Sequence, residues 1–182
     1  TPPKAQILDQ LRALVAQNDP SCAPSQTQSA PWLGMNRGGL HEIAPLEWRD
    51  GPAALGFVLG RIALETPAPF VWLDHPALTR DFGIPYGPGL KGFGLDPAAL
   101  IHIEARRDQD LLWAMEEAAR IKGLAAVIGC LPSQSRACTL TATRRLALAA
   151  QKNDALVLLL RDAGPAGLSA ARTRWHVCSA PS

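Results

Sequence analysis

Short apolar runs recur along this chain, and stretches with helical periodicity separate them. The clearest run is 155–161 (ALVLLLR), in which apolar residues follow one another without polar alternation. This pattern is typical of a strand that is buried on both faces, as strands are in parallel sheets covered by helices. Similar runs occupy 40–44, 70–74, 100–104 and 124–130. The pattern therefore predicts an α/β fold with a mainly parallel β-sheet.

Three segments between the runs, at about 53–65, 108–122 and 140–152, have the apolar spacing of helices. The chain of 182 residues has room for one domain of this kind. Apolar residues make up 47% of it and charged residues 19%, which excludes an intrinsically disordered chain.

Location is indicated by what the sequence lacks. No apolar run approaches the roughly 20 residues that a membrane helix needs, and no signal peptide is visible. The four cysteines form no C-x-x-C pair and no disulfide-like pattern. We therefore expect a cytoplasmic protein without membrane contacts.

The N-terminal part differs from the rest. Five apolar residues lie at i, i+1, i+4, i+7 and i+8 and predict an amphipathic helix over residues 3–17: Ile7, Leu8, Leu11, Leu14 and Val15. Residues 18–36 have no periodicity and contain three prolines, which predicts a linker. The predicted organisation is a helix within 1–17, a linker at 18–36 and the α/β domain at 37–182.

Positive charge is concentrated near the C-terminus. Residues 1–130 carry 11 Lys/Arg and 14 Asp/Glu, whereas residues 131–182 carry 7 and 2. Within 172–177, basic and apolar residues alternate, which predicts a terminal strand with one cationic face and one apolar face. The basic candidates for binding are Arg144, Arg145, Arg172 and Arg174, with Trp175 beside them. Single-stranded DNA, an acidic protein, or a solvated edge strand that resists aggregation would each explain them.

Trp113 is a second candidate contact residue. On its predicted helix it projects away from the apolar side of Leu112 and Met115 and lies beside Glu117 and Arg120. A tryptophan exposed on a polar face indicates a protein contact. The alternative is that Trp113 packs beneath the linker or the N-terminal helix.

The turn after the first strand lacks the features of a nucleotide site. Phosphates bind there in parallel α/β domains, and a P-loop needs G-x-x-x-x-G-K-[ST]. Segment 44–54 (APLEWRDGPAA) has one glycine and neither the lysine nor the hydroxyl. Pro52 removes an N–H donor, and Glu47 and Asp50 would repel phosphate. We expect Asp50 to cap the following helix, with Pro52 in its first turn.

Other motifs for enzyme chemistry are weak. The run 124–129 (LAAVIG) has no carboxylate at its end, where magnesium would need one. Segment 87–92 (GPGLKG) spells G-x-G-x-x-G but lies well past its strand and contains a proline, so a loop is expected there. The histidines are scattered without metal-ligand spacing. We therefore expect no catalytic residues, no cofactor, no metal and no triphosphate hydrolysis.

Several segments resemble a known family when they are taken in order. They are 38–43 (GGLHEI), 70–74 (FVWLD) and 94–101 (GLDPAALI), followed by 112–118 (LWAMEEA), 140–146 (LTATRRL) and 170–175 (AARTRW). Together they resemble the RecA core and, more closely, the ImuA family of RecA-like SOS mutagenesis proteins. The resemblance spans about residues 34–178 and lies in the order and spacing of the segments.

This resemblance implies a RecA-like core with a degenerate P-loop and a non-catalytic accessory role in error-prone DNA synthesis across lesions. The implied partners are ImuB, a polymerase homologue of the Y family, an error-prone DNA polymerase and RecA. In RecA an N-terminal helix on a linker packs against the neighbouring protomer, so residues 3–17 would bind another subunit or a partner. SulA, a related SOS division inhibitor with a similar fold, is the alternative, and its partner would be FtsZ.

Overall fold

The computed structural model describes residues 34–65, 67–164 and 167–180. The predicted N-terminal helix at 3–17 and the predicted linker up to residue 33 lie outside this part of the chain. Residues 34–36, at the end of the predicted linker, are described: Met35 is fully buried, and its carbonyl accepts a hydrogen bond from Arg61 Nε at 2.8 Å.

Strands and helices alternate through the described residues. The strands are β1 (Gly39–Pro45), β2 (Phe70–Asp74), β3 (Leu100–Glu104), β4 (Val127–Cys130), β5 (Leu156–Leu160) and β6 (Thr173–Val177). The helices are α1 (Gly51–Ala63), α2 (Pro76–Phe82), α3 (Gly87–Gly92), α4 (Asp108–Ala118) and α5 (Leu140–Asn153), with 3-10 turns at Trp48–Asp50 and Pro97–Ala99.

The six strands form one sheet in the order β3-β2-β4-β5-β1-β6, and every neighbouring pair is parallel. Parallel neighbours need crossover connections, and helices supply those between successive strands from β1 to β5. The prediction of an α/β fold with a mainly parallel sheet is therefore confirmed. The alternation predicted at 172–177 is also confirmed, because β6 is an edge strand with alternating exposed and half-buried residues.

Two apolar cores cover the two faces of the sheet. On one face, Phe70 and Trp72 of β2 pack with α1, α2 and α3. On the other face, Val71 and Leu73 pack with α4 and α5. We call these the α1 side and the α5 side. Successive residues of a strand point to opposite faces, so the continuous apolar run of β2 serves both cores.

Three details differ from the sequence prediction. Segment 87–92 is the short helix α3 rather than a loop: Leu90 is buried, its N–H donates to the Tyr86 carbonyl at 3.0 Å, and Pro88 suits the first turn. Helix α4 ends at Ala118, before a turn in which Gly123 has a φ of 87°. Strand β4 begins at Val127 rather than at residue 124.

Within the described residues, no helix combines the length and hydrophobicity required to cross a bilayer.

Candidate functional site

The carboxyl ends of the strands meet at one edge of the sheet, because all the strands are parallel. Ligands of α/β proteins bind outside this edge. A cavity of about 400 Å³ lies here, between the strand ends, the start of α1 and the α2–α3 region. Its walls are mainly apolar and include Leu55, Trp72, Leu78, Tyr86 and Phe93.

Asp50 lies at the amino end of α1. Its Oδ1 accepts a hydrogen bond from the Ser179 N–H at 3.0 Å, and its Oδ2 accepts one from the Glu47 N–H at 3.1 Å. These bonds, that from Ser179 above all, hold the pKa of Asp50 below its usual range, so the carboxylate is ionised at neutral pH. A phosphate at this helix end would meet a negative charge, the Ser179 backbone and Pro52.

The expectation that the Asp50 side chain caps α1 is wrong in detail. Asp50 occupies the N-cap position, but its carboxylate accepts from Glu47 and Ser179 rather than from the first turn of α1. It closes the 3-10 turn that precedes the helix. The expectation for Pro52 is confirmed, since it lies in the first turn of α1.

Asp74 is a carboxylate at this edge that the sequence analysis missed. It ends β2, is 4% exposed and lines the cavity. Its Oδ1 accepts from Trp72 Nε1 at 2.8 Å, and its Oδ2 lies 2.8 Å from His102 Nε2 on β3. Burial, together with the nearby Asp74, raises the pKa of the Cys130 thiol at the end of β4. The sequence did contain a signal for Asp74, because it is a polar residue at the end of the apolar run 70–74.

Asp74 is held by contacts with other side chains of the protein. Both oxygens of Asp74 are engaged by protein groups, and Cys130 is buried as expected of a small core residue. Among the described residues, no cluster of three or more His, Cys, Asp and Glu side chains is arranged to hold a metal ion.

The basic residues predicted to bind DNA or a partner lie in different parts of the fold. Arg144 and Arg145 are exposed on α5, and Arg145 Nη2 lies 2.7 Å from Glu116 Oε2 on α4. The Arg172 guanidinium lies near Gly39 and the buried His41 ring. These arginines therefore make different contacts within the fold.

Arg174 and Trp175 point to opposite faces of the sheet. Arg174 Nε lies 3.2 Å from Glu42 Oε2 on β1. Trp175 packs on the α1 side, with its ring centroid 5.7 Å from that of Phe57, and its Nε1 donates to Thr173 Oγ1 at 2.7 Å. The indole predicted to contact a partner or DNA is thus half-buried within the fold.

Trp113 is also half-buried, and it packs against the apolar core on the α5 side. The structure therefore does not display the freely exposed ring that the helix pattern predicted. The apolar residues predicted to bind a partner at 3–17 lie outside the described residues.

Comparison with known proteins decides the family. No protein-family model matches the chain. Curated relatives named Protein ImuA, from two strains of Caulobacter vibrioides, are each 33% identical to it over 174 residues, covering 87% of this chain and 67% of the relative. The chain belongs to the ImuA family. The resemblance seen in the sequence segments is thereby confirmed.

The fold of this ImuA-family chain is shared with a solved structure. The crystal structure of SulA from Pseudomonas aeruginosa matches it with a TM-score of 0.50 and 22% identity, over 67% of this chain and 96% of SulA. At this identity the likeness establishes the fold alone.

Proposed function

We propose that this ImuA-family chain is a non-catalytic accessory protein of SOS-induced, error-prone translesion DNA synthesis. It acts in the cytoplasm as an adaptor for an ImuB-like polymerase homologue, an error-prone DNA polymerase and RecA. Membership of the ImuA family supports the pathway. The ionised carboxylate of Asp50 at the start of α1 supports the proposal that this chain does not bind or hydrolyse nucleotide.

The contact between Asp50 and Ser179 carries the non-catalytic part of the proposal. A helix amino end binds phosphate through free N–H groups and a positive local potential. Here an ionised carboxylate lies at the helix start, and the chain after β6 reaches it with a 3.0 Å hydrogen bond. The neighbouring cavity is lined mainly by apolar side chains, which favour an apolar contact over a triphosphate.

Calorimetric titration with ATP and magnesium tests this part, with a RecA protein as the positive control. We expect heat from RecA and none beyond dilution from this chain. Tight magnesium-dependent binding that Asp50→Ala abolishes would contradict the proposal.

The adaptor part concerns residues 3–17 and Trp113. We propose that the apolar side of 3–17 binds a partner or a second copy of the chain, and that Trp113 contributes to a partner contact where its ring remains accessible. Deletion of residues 1–17 should reduce self-association or partner binding in sedimentation and pull-down measurements. Unchanged behaviour on both would count against this role.

Capture of partners from DNA-damaged cells distinguishes the proposal from its alternative. Polymerase components and RecA are expected with the tagged chain. Recovery of FtsZ in their place would favour a SulA-type division inhibitor.

A further inference from the structure

Helix α5 presents an unusual outer surface. Its sequence, LTATRRLALAAQKN, contains three cationic residues and no acidic one. Leu140 is 46% exposed and Leu148 is 56% exposed, and the exposed Arg144 lies one turn from each. Residues at i, i+4 and i+8 share one side of a helix. We call the stripe formed by Leu140, Arg144 and Leu148 the α5 ridge.

The opposite side of α5 holds the ridge in place. Thr143, Leu146, Ala149 and Ala150 are buried against the sheet. At the start of the helix, Thr139 Oγ1 accepts a hydrogen bond from the Ala142 N–H at 3.2 Å. A helix packed and capped in this way cannot turn its exposed leucines inward, so the ridge is presented to solvent on a rigid element.

The positive charge on the ridge has no ion-pair partner among the residues that the structure describes. Arg144 makes no ion pair with any residue that the structure describes. Its neighbour Arg145 is held by Glu116, and the same carboxylate also contacts Arg120. Glu116 is 7% exposed, and its negative charge is offset by these two arginines rather than by Arg144. The ridge is therefore both apolar and cationic.

A further exposed leucine lies close to this helix. The Ala170 N–H donates to Thr143 Oγ1 on α5 at 3.1 Å, which brings the segment after β5 against the helix. Leu168, two residues earlier, is 78% exposed. Leu168 therefore lies near the Thr143 side of α5 rather than on the ridge itself.

We infer that the α5 ridge is a docking surface for an acidic amphipathic helix of a partner protein. The leucines fit an apolar stripe on the partner, and Arg144 fits carboxylates beside that stripe. The inference rests on the adaptor role proposed above and gives that role one surface with defined partner chemistry.

The same features argue against two other occupants. Nucleic acid would engage Arg144 and Arg145 but gains nothing from exposed leucines, since single strands are bound by cations and stacked aromatic rings. The chain's own residues 3–17 carry Lys4 and Arg12 against Asp9, so their net charge has the same sign as the ridge. An acidic amphipathic helix would contact the exposed leucines with its apolar side and Arg144 with its carboxylates.

The test uses the full 182-residue chain and two labelled synthetic helices of about 20 residues, long enough to be helical in water. Both have leucines along one side, and one is flanked by glutamates where the other has lysines. A thymidine oligonucleotide is the third probe. Binding is measured by fluorescence anisotropy at low salt, and amide chemical shifts in NMR spectra locate the site.

We expect the glutamate helix to bind and to shift α5 amides, and Leu148→Glu and Arg144→Glu each to weaken it about tenfold or more. Arg144→Glu should also strengthen binding of the lysine helix. Leu64→Glu is the matched control, because Leu64 is 51% exposed but follows α1 on the other face. The control should bind as the wild type does, and circular dichroism should show that all variants remain folded.

Three results would overturn the inference. They are no binding of the glutamate helix, equal binding by the wild type and both ridge variants, or oligonucleotide binding that depends on Arg144 and not on Leu148. These outcomes are independent of the nucleotide titration, so the failure of the ridge and the failure of the non-catalytic proposal can be told apart.

Discussion

Asp50 Oδ1 accepts a hydrogen bond from the Ser179 N–H at 3.0 Å and so joins the start of α1 to the segment that follows β6. Strand β6 is parallel to β1, and the Leu46 N–H also donates to the Val177 carbonyl, at 2.8 Å. The turn after β1 and the chain after β6 therefore meet at the sheet edge where α/β proteins commonly bind phosphate.

Asp50→Asn should lower Tm and speed hydrogen exchange at the Ser179 amide. The amide side chain keeps one acceptor oxygen, whereas Asp50 accepts two backbone hydrogen bonds. The pKa of Asp50 is lowered in the fold, so its contribution to stability is present above the pKa of the unfolded chain and is lost as pH falls below about 4. Thermal unfolding from pH 7 to pH 3 should show a smaller acid loss in the variant.

Glu104→Gln is the control for this change, because Glu104 is an exposed carboxylate on the edge strand β3. It should unfold like the wild type across the pH range. Equal acid sensitivity of Asp50→Asn and the wild type would contradict the role given to Asp50.

His41 should make the fold sensitive to mild acid. Its ring is fully buried; Nε2 lies 2.9 Å from the Asn36 carbonyl, so this nitrogen carries the proton, and Nδ1 accepts from Thr173 Oγ1 at 2.8 Å. Burial lowers the pKa of His41, and the positive charges of Arg172 and Arg61 lower it further, while the Asn36 bond opposes the shift. Stability from the neutral ring is present above about pH 6.5 and is lost as pH falls below that value.

Thermal unfolding between pH 7.5 and pH 5 measures this effect. Tm of the wild type should fall across the interval, and Tm of His41→Gln should start lower and fall less. Parallel curves for the two proteins would show that His41 is not the group responsible.

A side chain at Gly129 should destabilise the fold. A Cβ there would lie 2.1 Å from Sδ and 2.7 Å from Cε of Met115, which is fully buried. Gly129→Ala should therefore lower the free energy of unfolding by about 1–3 kcal/mol through overpacking, measured by urea unfolding. Gly92→Ala is the matched control, since a Cβ there meets nothing within 4 Å. Equal stability of the two variants would contradict the packing argument.

We expect Arg174 to stabilise the fold through its ion pair with Glu42. Glu42 is 2% exposed, and its Oε2 has Arg174 as its ion-pair partner at 3.2 Å, while Oε1 accepts from the Ser169 hydroxyl. Removing one partner of a buried pair costs about 3–5 kcal/mol, and somewhat less where the cation is partly exposed, as it is here. Arg174→Ala should destabilise the domain, and the double variant with Glu42→Gln should recover part of the loss.

Chemical denaturation of the four proteins in this cycle gives the coupling between the two residues. Additive losses would show that the pair is not coupled. Any binding assay on Arg174→Ala therefore needs the double variant beside it, because loss of fold would otherwise imitate loss of contact.

Local sequence patterns were sufficient to predict most of the strands and helices. The run at 70–74 predicted β2 to the residue, and the alternation at 172–177 predicted the edge strand β6. Both signals come from side chains within a few residues of one another. The short helix α3 was missed because its glycines and proline are typical of turns, whereas the burial of Leu90 supports a helix.

The candidate site depended on contacts between distant parts of the chain. The sequence contains Asp50 and Ser179, and Glu42 and Arg174, but more than 120 residues separate each pair. The strand order β5-β1-β6 brings them together. Periodicity carries no information about which strands become neighbours, so these contacts could not be predicted from local pattern.

The sequence by itself determined that this chain is an α/β protein, which segments become its main strands, and that the turn after β1 lacks the residues of a P-loop. Only the tertiary structure decided which carboxylates lie at the sheet edge, that Trp175 packs against Phe57, and that Arg144 stands between two exposed leucines. The physical reason is range: strand and helix patterns arise from neighbours in the chain, whereas burial and pairing arise from the order in which strands assemble.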